Sequence, residues 1–88
     1  MNIKILGTGC AKCHQLEKTV EEAVKELDID ATIEEVKDIK KFIDYKVMMT
    51  PGLVVNEQVV SSGKVPSKAE VTQLIINAMA MEEQKKGS

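Results

Sequence analysis

Apolar and polar residues alternate along this chain in two distinct rhythms. At Asn2 to Leu6 the apolar residues Ile3, Ile5 and Leu6 surround a single Lys4, the pattern of a short strand. From Ala11 to Leu27 the apolar positions are Cys13, Leu16, Val20, Ala23, Val24 and Leu27. They are spaced mainly by three and four, with Glu17, Lys18, Glu21, Glu22, Lys25 and Glu26 between them, which puts the apolar set on one face of a helix. After a break at Asp28 to Asp30, Ala31 to Lys37 reads as a second strand through Thr32, Ile33 and Val36. Asp38 is placed to cap a short helix carrying Ile39, Phe42 and Ile43, and Val47 to Thr50 follows as a loop.

Beyond Pro51-Gly52, the run Leu53 to Val55 predicts a strand. Asn56-Glu57 predicts a tight turn, and Val59-Val60 a returning strand that ends at Gly63. Pro66-Ser67 opens the last helix, in which Ser67 and Glu70 have capping-box spacing and Val71, Leu74, Ile75 and Ala78 form the buried face. The expected order is strand, helix, strand, helix, strand, strand, helix. The first two strands would be parallel through a right-handed crossover, and the last two would form an antiparallel hairpin. This is an α/β fold, a four-stranded mixed sheet flanked by three helices. It occupies residues 1–81 as one domain, with 82–88 as a charged, flexible tail.

Eighty-eight residues make one small domain with an adequate core. The formal charge is −2, the basic residues are all lysines without a dense cluster, and Phe42 and Tyr45 are the only aromatic side chains. Nucleic acid is therefore not an expected partner. No apolar stretch approaches a membrane span, and Met1 leads directly into a strand pattern without the layout of a signal peptide. A cytoplasmic location is expected.

In a reducing compartment a two-cysteine C-x-x-C is catalytic or metal-binding rather than a structural staple. The two cysteines here occupy Gly9-Cys10-Ala11-Lys12-Cys13, at the junction of the first strand and the first helix. Unpaired amide N–H groups at a helix N-terminus favour a negative charge, and the thiolate is the nucleophilic form of cysteine. Cys10 is thus the expected nucleophile, with Lys12 adding positive charge nearby. Cys13 falls on the apolar helix face and is expected to be less exposed.

With this element order, three features resemble the thioredoxin and glutaredoxin superfamily, in particular its short archaeal and bacterial redox-active disulfide proteins. They are Cys10-Ala11-Lys12-Cys13 after the first strand, Met49-Thr50-Pro51 before the third, and Gly63-Lys64-Val65-Pro66-Ser67 leading into the last helix. The resemblance spans the domain to about residue 80. It implies a thiol–disulfide oxidoreductase that reduces protein disulfides, with Cys10 attacking and Cys13 resolving. It also implies a cis Pro51 packed beside the dithiol, with Thr50 pairing main chain to main chain with bound peptide. Val47, Met48 and Met49 would line an adaptable docking patch, with loop anchoring in the core an equal alternative for Val47. Gly63 would permit close backbone approach. The implied partners are protein disulfide substrates and a thioredoxin-reductase-like or thiol electron donor, the expected state is a monomer, and no cofactor is needed beyond the Cys10–Cys13 disulfide.

The chain departs from the larger members of that superfamily in places. Gly9 stands where thioredoxins proper usually carry tryptophan, Ala11-Lys12 matches neither Gly-Pro nor Pro-Tyr, and the first strand offers Lys4 where thioredoxins bury an aspartate. Two other readings share the motif. His14 completes Cys10-x-x-Cys13-His14, the pattern for covalent haem attachment, but no signal peptide or haem pocket accompanies it. The loop Thr8 to Cys13 also resembles that of copper-chaperone domains, where two thiolates bind Cu(I), so a soft-metal thiolate carrier is the alternative function.

Overall fold

In the computed structural model, which describes residues 1–87 with side chains through Met81, seven elements follow in the expected order. They are β1 (Asn2–Leu6), α1 (Ala11–Leu27), β2 (Thr32–Val36), α2 (Ile39–Asp44), β3 (Gly52–Val55), β4 (Gln58–Ser62) and α3 (Lys68–Gly87). The expected tail over 82–88 lies outside the residues whose side chains are described. The sheet order is β2-β1-β3-β4, with β1 and β2 parallel and the β1–β3 and β3–β4 pairs antiparallel. The crossover and the hairpin expected from the pattern are both present.

Local chemistry sets the element ends. α1 closes on Asp28, which adopts the left-handed conformation and donates its N–H to the Lys25 carbonyl, 3.2 Å away, so the last turn is not left unpaired. The Asp38 carboxylate accepts from the Lys40 N–H at 2.9 Å and starts α2. The Ser67 hydroxyl oxygen accepts from the Glu70 N–H at 3.2 Å, the capping contact expected for α3. Asn56 and Glu57 both have positive φ, as a two-residue hairpin turn of the primed type requires. A register shift between Leu53 and Val54 interrupts the β3–β4 ladder as a bulge, which the alternation of residues did not announce.

The sheet separates two cores because successive side chains on a strand point to opposite faces. On one face Ile3, Ile5, Leu53 and Val55 meet Leu16, Val20 and Ala23 of α1 and Val71 and Ile75 of α3. α1 and α3 also pack against each other. On the other face Leu6 and Val54 meet Phe42 of α2 and Val47 of the following loop. The strand register then places the dithiol. Leu6 pairs with Gly52, so Gly7 and Pro51, one step beyond, face each other at the same end of the sheet where α1 begins.

Candidate active site

Cys10 is the N-cap of α1. Its backbone is extended, at φ −72° and ψ 167°, and its sulfur accepts from the Cys13 N–H at 3.3 Å. A sulfur in that position takes the place of the side-chain oxygen that usually caps a helix. The His14 N–H meets the Cys10 carbonyl at 3.1 Å and closes the first turn. Cys10 is exposed, whereas Cys13 is 2 % exposed and both are free thiols. Their sulfurs lie 2.6 Å apart, within reach of each other for disulfide exchange.

The two thiols are electrostatically opposite. The Cys10 thiol is held below the ordinary cysteine range, chiefly by the hydrogen bond from the Cys13 side chain, then by the Cys13 amide, with the Lys12 amide adding to it. Burial pushes the Cys13 thiol up, and its hydrogen bond to Cys10 raises it further. The exposed group is therefore the better thiolate and the buried one its proton donor. Lys12 is exposed, and its support for the Cys10 thiolate comes through its backbone N–H.

Gly7 completes this half of the site and escaped the sequence reading, which took Gly7-Thr8-Gly9 only as a loop. A Cβ at Gly7 would stand 2.2 Å from the Cys13 sulfur, so the sulfur occupies the space that any side chain there would fill. The signal was a glycine directly after the strand. Nothing local to the sequence says that a thiol six residues after Gly7 folds back onto it.

The second half is built by the loop before β3. The Thr50–Pro51 peptide bond is cis, Pro51 is buried and Thr50 is exposed. Gly63 donates its N–H to the Pro51 carbonyl at 3.0 Å. Gly63 has φ +75°, and a Cβ on it would approach the Met49 Cβ to 3.0 Å, so a glycine suits both the backbone and the space. Thus the consecutive Met49, Thr50 and Pro51 and the distant Gly63 come together. Val47 is buried against Leu6, Phe42 and Val54 and anchors the loop, whereas Met48 is 96 % exposed and Met49 is also exposed. The core-anchoring alternative holds for Val47, and the two methionines alone are left for solvent or partner.

Lys4 lies on the opposite sheet face from α1. It donates to the Tyr45 hydroxyl at 2.9 Å and pairs with the Glu57 carboxylate at 2.8 Å, and Tyr45 in turn donates to Glu57. Glu57 and then Tyr45 raise the Lys4 pKa, so it stays an ammonium ion and does not serve as a base for Cys13.

Comparison with known proteins converges on one family. Residues 1–76 match the model of the thioredoxin domain. The chain is 43 % identical over 75 residues to a thioredoxin of Methanothermobacter thermautotrophicus, covering 85 % of this chain and 97 % of that one. It is 42 % identical over 71 residues to a thioredoxin of Methanocaldococcus jannaschii, covering 81 % of each. The fold superposes on thioredoxin 1 from Thermosipho africanus with a TM-score of 0.64 at 18 % identity, covering 94 % of this chain and 99 % of that one.

Proposed function

In a chain that belongs to the thioredoxin family and is a thiol–disulfide oxidoreductase, we propose that Cys10 attacks and Cys13 resolves. The observation that carries this division is the contrast between the two thiols. Cys10 is exposed with its thiolate favoured, and Cys13 is buried with its thiol favoured.

The Cys10 thiolate attacks one sulfur of a protein disulfide and forms a mixed disulfide, while the other client sulfur leaves as a thiolate. Cys13 then gives up its proton, which protonates a departing client thiolate directly or through solvent. Its sulfur attacks Cys10, forms the Cys10–Cys13 disulfide and releases the second client thiolate. Two electrons pass to the client, and the dithiol itself is the only redox group required. Once Cys10 is bonded to a client, Cys13 no longer has a neighbouring thiolate raising its pKa, so resolution becomes easier after attack than before it.

The client is a protein segment laid along Met48, Met49, Thr50 and Gly63. Thr50 is exposed at the mouth of the site, and the methionines supply adaptable apolar contact. The oxidised pair is returned to the dithiol by a thioredoxin-reductase-like enzyme or a thiol donor. The protein acts as a monomer in the cytoplasm; among the described residues no helix is long and apolar enough to cross a membrane.

Trapping tests the assignment. Cys13→Ser is expected to accumulate a mixed disulfide with a reducible protein such as insulin, and Cys10→Ser is not. Equal trapping by both variants would remove the distinction between attacking and resolving thiols.

A further inference from the structure

Next to the dithiol, three titratable side chains from two elements converge. His14 and Glu17 stand three residues apart on α1 and so share a face. Glu35 comes from β2, on the same sheet face as Ile33, which packs against the α1 core. One imidazole nitrogen and one oxygen from each carboxylate lie within 4.8 Å of one another. The supports are rigid on both sides. Leu16 and Val20 bury the α1 face, and Glu35 is held in the β1–β2 ladder opposite Ile5.

The two carboxylates come together from different elements, with an oxygen of each within 4.8 Å of the other. Among the described residues the lysine ion pairs go to Glu57, Glu70 and Glu26, and none goes to Glu17 or Glu35. Like charges held together need a shared proton or a cation between them.

We propose that His14, Glu17 and Glu35 bind a divalent transition-metal ion of the zinc type. One imidazole and two carboxylates form a donor set that zinc accepts, and they supply two negative charges to a dication. The imidazole favours such an ion over calcium or magnesium, which prefer all-oxygen shells. Metal–ligand bonds of about 2.0–2.1 Å in a tetrahedral shell put ligand atoms about 3.4 Å apart. Side-chain rotation of the exposed His14 and Glu35 closes the remaining gap. The fourth position faces solvent, so the ion keeps a water. It would tie the first turns of α1 to the edge strand β2, beside the dithiol and without using its sulfurs.

Calorimetric titration of zinc chloride into the full chain, with Cys10 and Cys13 oxidised to the disulfide, isolates this site from thiolate binding. Saturable binding of one ion per chain is expected. His14→Ala and Glu35→Gln should each weaken it by about tenfold or more, and Glu22→Gln, on another face of α1, should leave it within about twofold. Circular dichroism of each variant establishes that it is folded, since all three residues are on the surface. A Co(II) titration should show ligand-field absorption without a sulfur-to-metal charge-transfer band. No saturable binding, or binding unchanged by both His14→Ala and Glu35→Gln, overturns the proposal.

Discussion

The two faces of the sheet are built to different standards. Among the described residues, the α1/α3 face buries nine side chains in one cluster, from β1, β3 and two long helices. Among the described residues, the α2 face buries Leu6, Phe42, Val47 and Val54 in its cluster, under a helix of six residues. On that thinner side Ile39 and Ile43 are exposed, and the sheet surface is finished by the Lys4–Tyr45–Glu57 network instead of apolar packing. The dithiol belongs to the thick face and the Pro51 loop to the thin one. Cys10 and Cys13 are thus set on the more densely packed side of the molecule, and the exposed Met48 and Met49 hang from the less covered one. A redox site of this kind needs the first for a defined thiol geometry and the second for tolerance of varied clients.

The largest expected effect breaks the thick face. Leu16→Ala removes a fully buried side chain between α1 and the sheet and should destabilise the protein by about 2–5 kcal/mol in urea unfolding. Ile43→Ala on the thin face, at a side chain 69 % exposed, should stay within about 0.5 kcal/mol. Comparable losses would show that the two faces carry equal weight.

Gly7→Ala tests the junction between core and site. Its new methyl would meet the Cys13 sulfur, so overpacking of about 1–3 kcal/mol is expected, together with a displaced Cys13. Insulin-reduction assays should then show a loss of resolution larger than the loss of stability implies. Normal turnover would mean that Cys13 can shift without consequence.

The chemical asymmetry of the thiols gives the next effect. Because the Cys10 pKa is lowered, its alkylation by iodoacetamide should reach half its maximal rate below the ordinary thiol value of about 8.5 and slow as pH falls through that midpoint. The Cys13 pKa is raised, so its alkylation in Cys10→Ser should be half-maximal above the ordinary value, burial slowing it further. At pH 7 the two rates should differ by at least about tenfold, and mass spectrometry of the labelled peptides reads both. Coincident profiles would remove the electrostatic basis for their separate roles.

The smallest effect concerns the polar finish of the thin face. Tyr45→Phe removes the hydroxyl shared by Lys4 and Glu57 and should cost about 0.5–1.5 kcal/mol with exchange activity unchanged. A fall in activity without a fall in stability would connect this network to the site after all.

Much of this molecule is written in local pattern. The 3.6-residue period of α1, the alternation in β1, the caps at Asp38 and Ser67 and the turn at Asn56-Glu57 are decided within a few residues, and each is legible without the fold. The position of Cys10 and Cys13 at a strand–helix junction follows from the same spacing, so the exposed and buried ends of the dithiol could be anticipated. What only tertiary structure decided are contacts between distant segments. The Cys13 sulfur occupies the space beside Gly7 because α1 folds back onto β1, Gly63 bonds Pro51 because β4 returns beside β3, and Lys4 meets Glu57 because a hairpin turn reaches across the sheet. The split between buried Val47 and exposed Met48 and Met49, like the meeting of His14, Glu17 and Glu35, is of the same kind. Neighbouring residues determine the conformation of each element, but the pairing of elements depends on burial summed over the whole chain, and that sum exists only once the chain is folded.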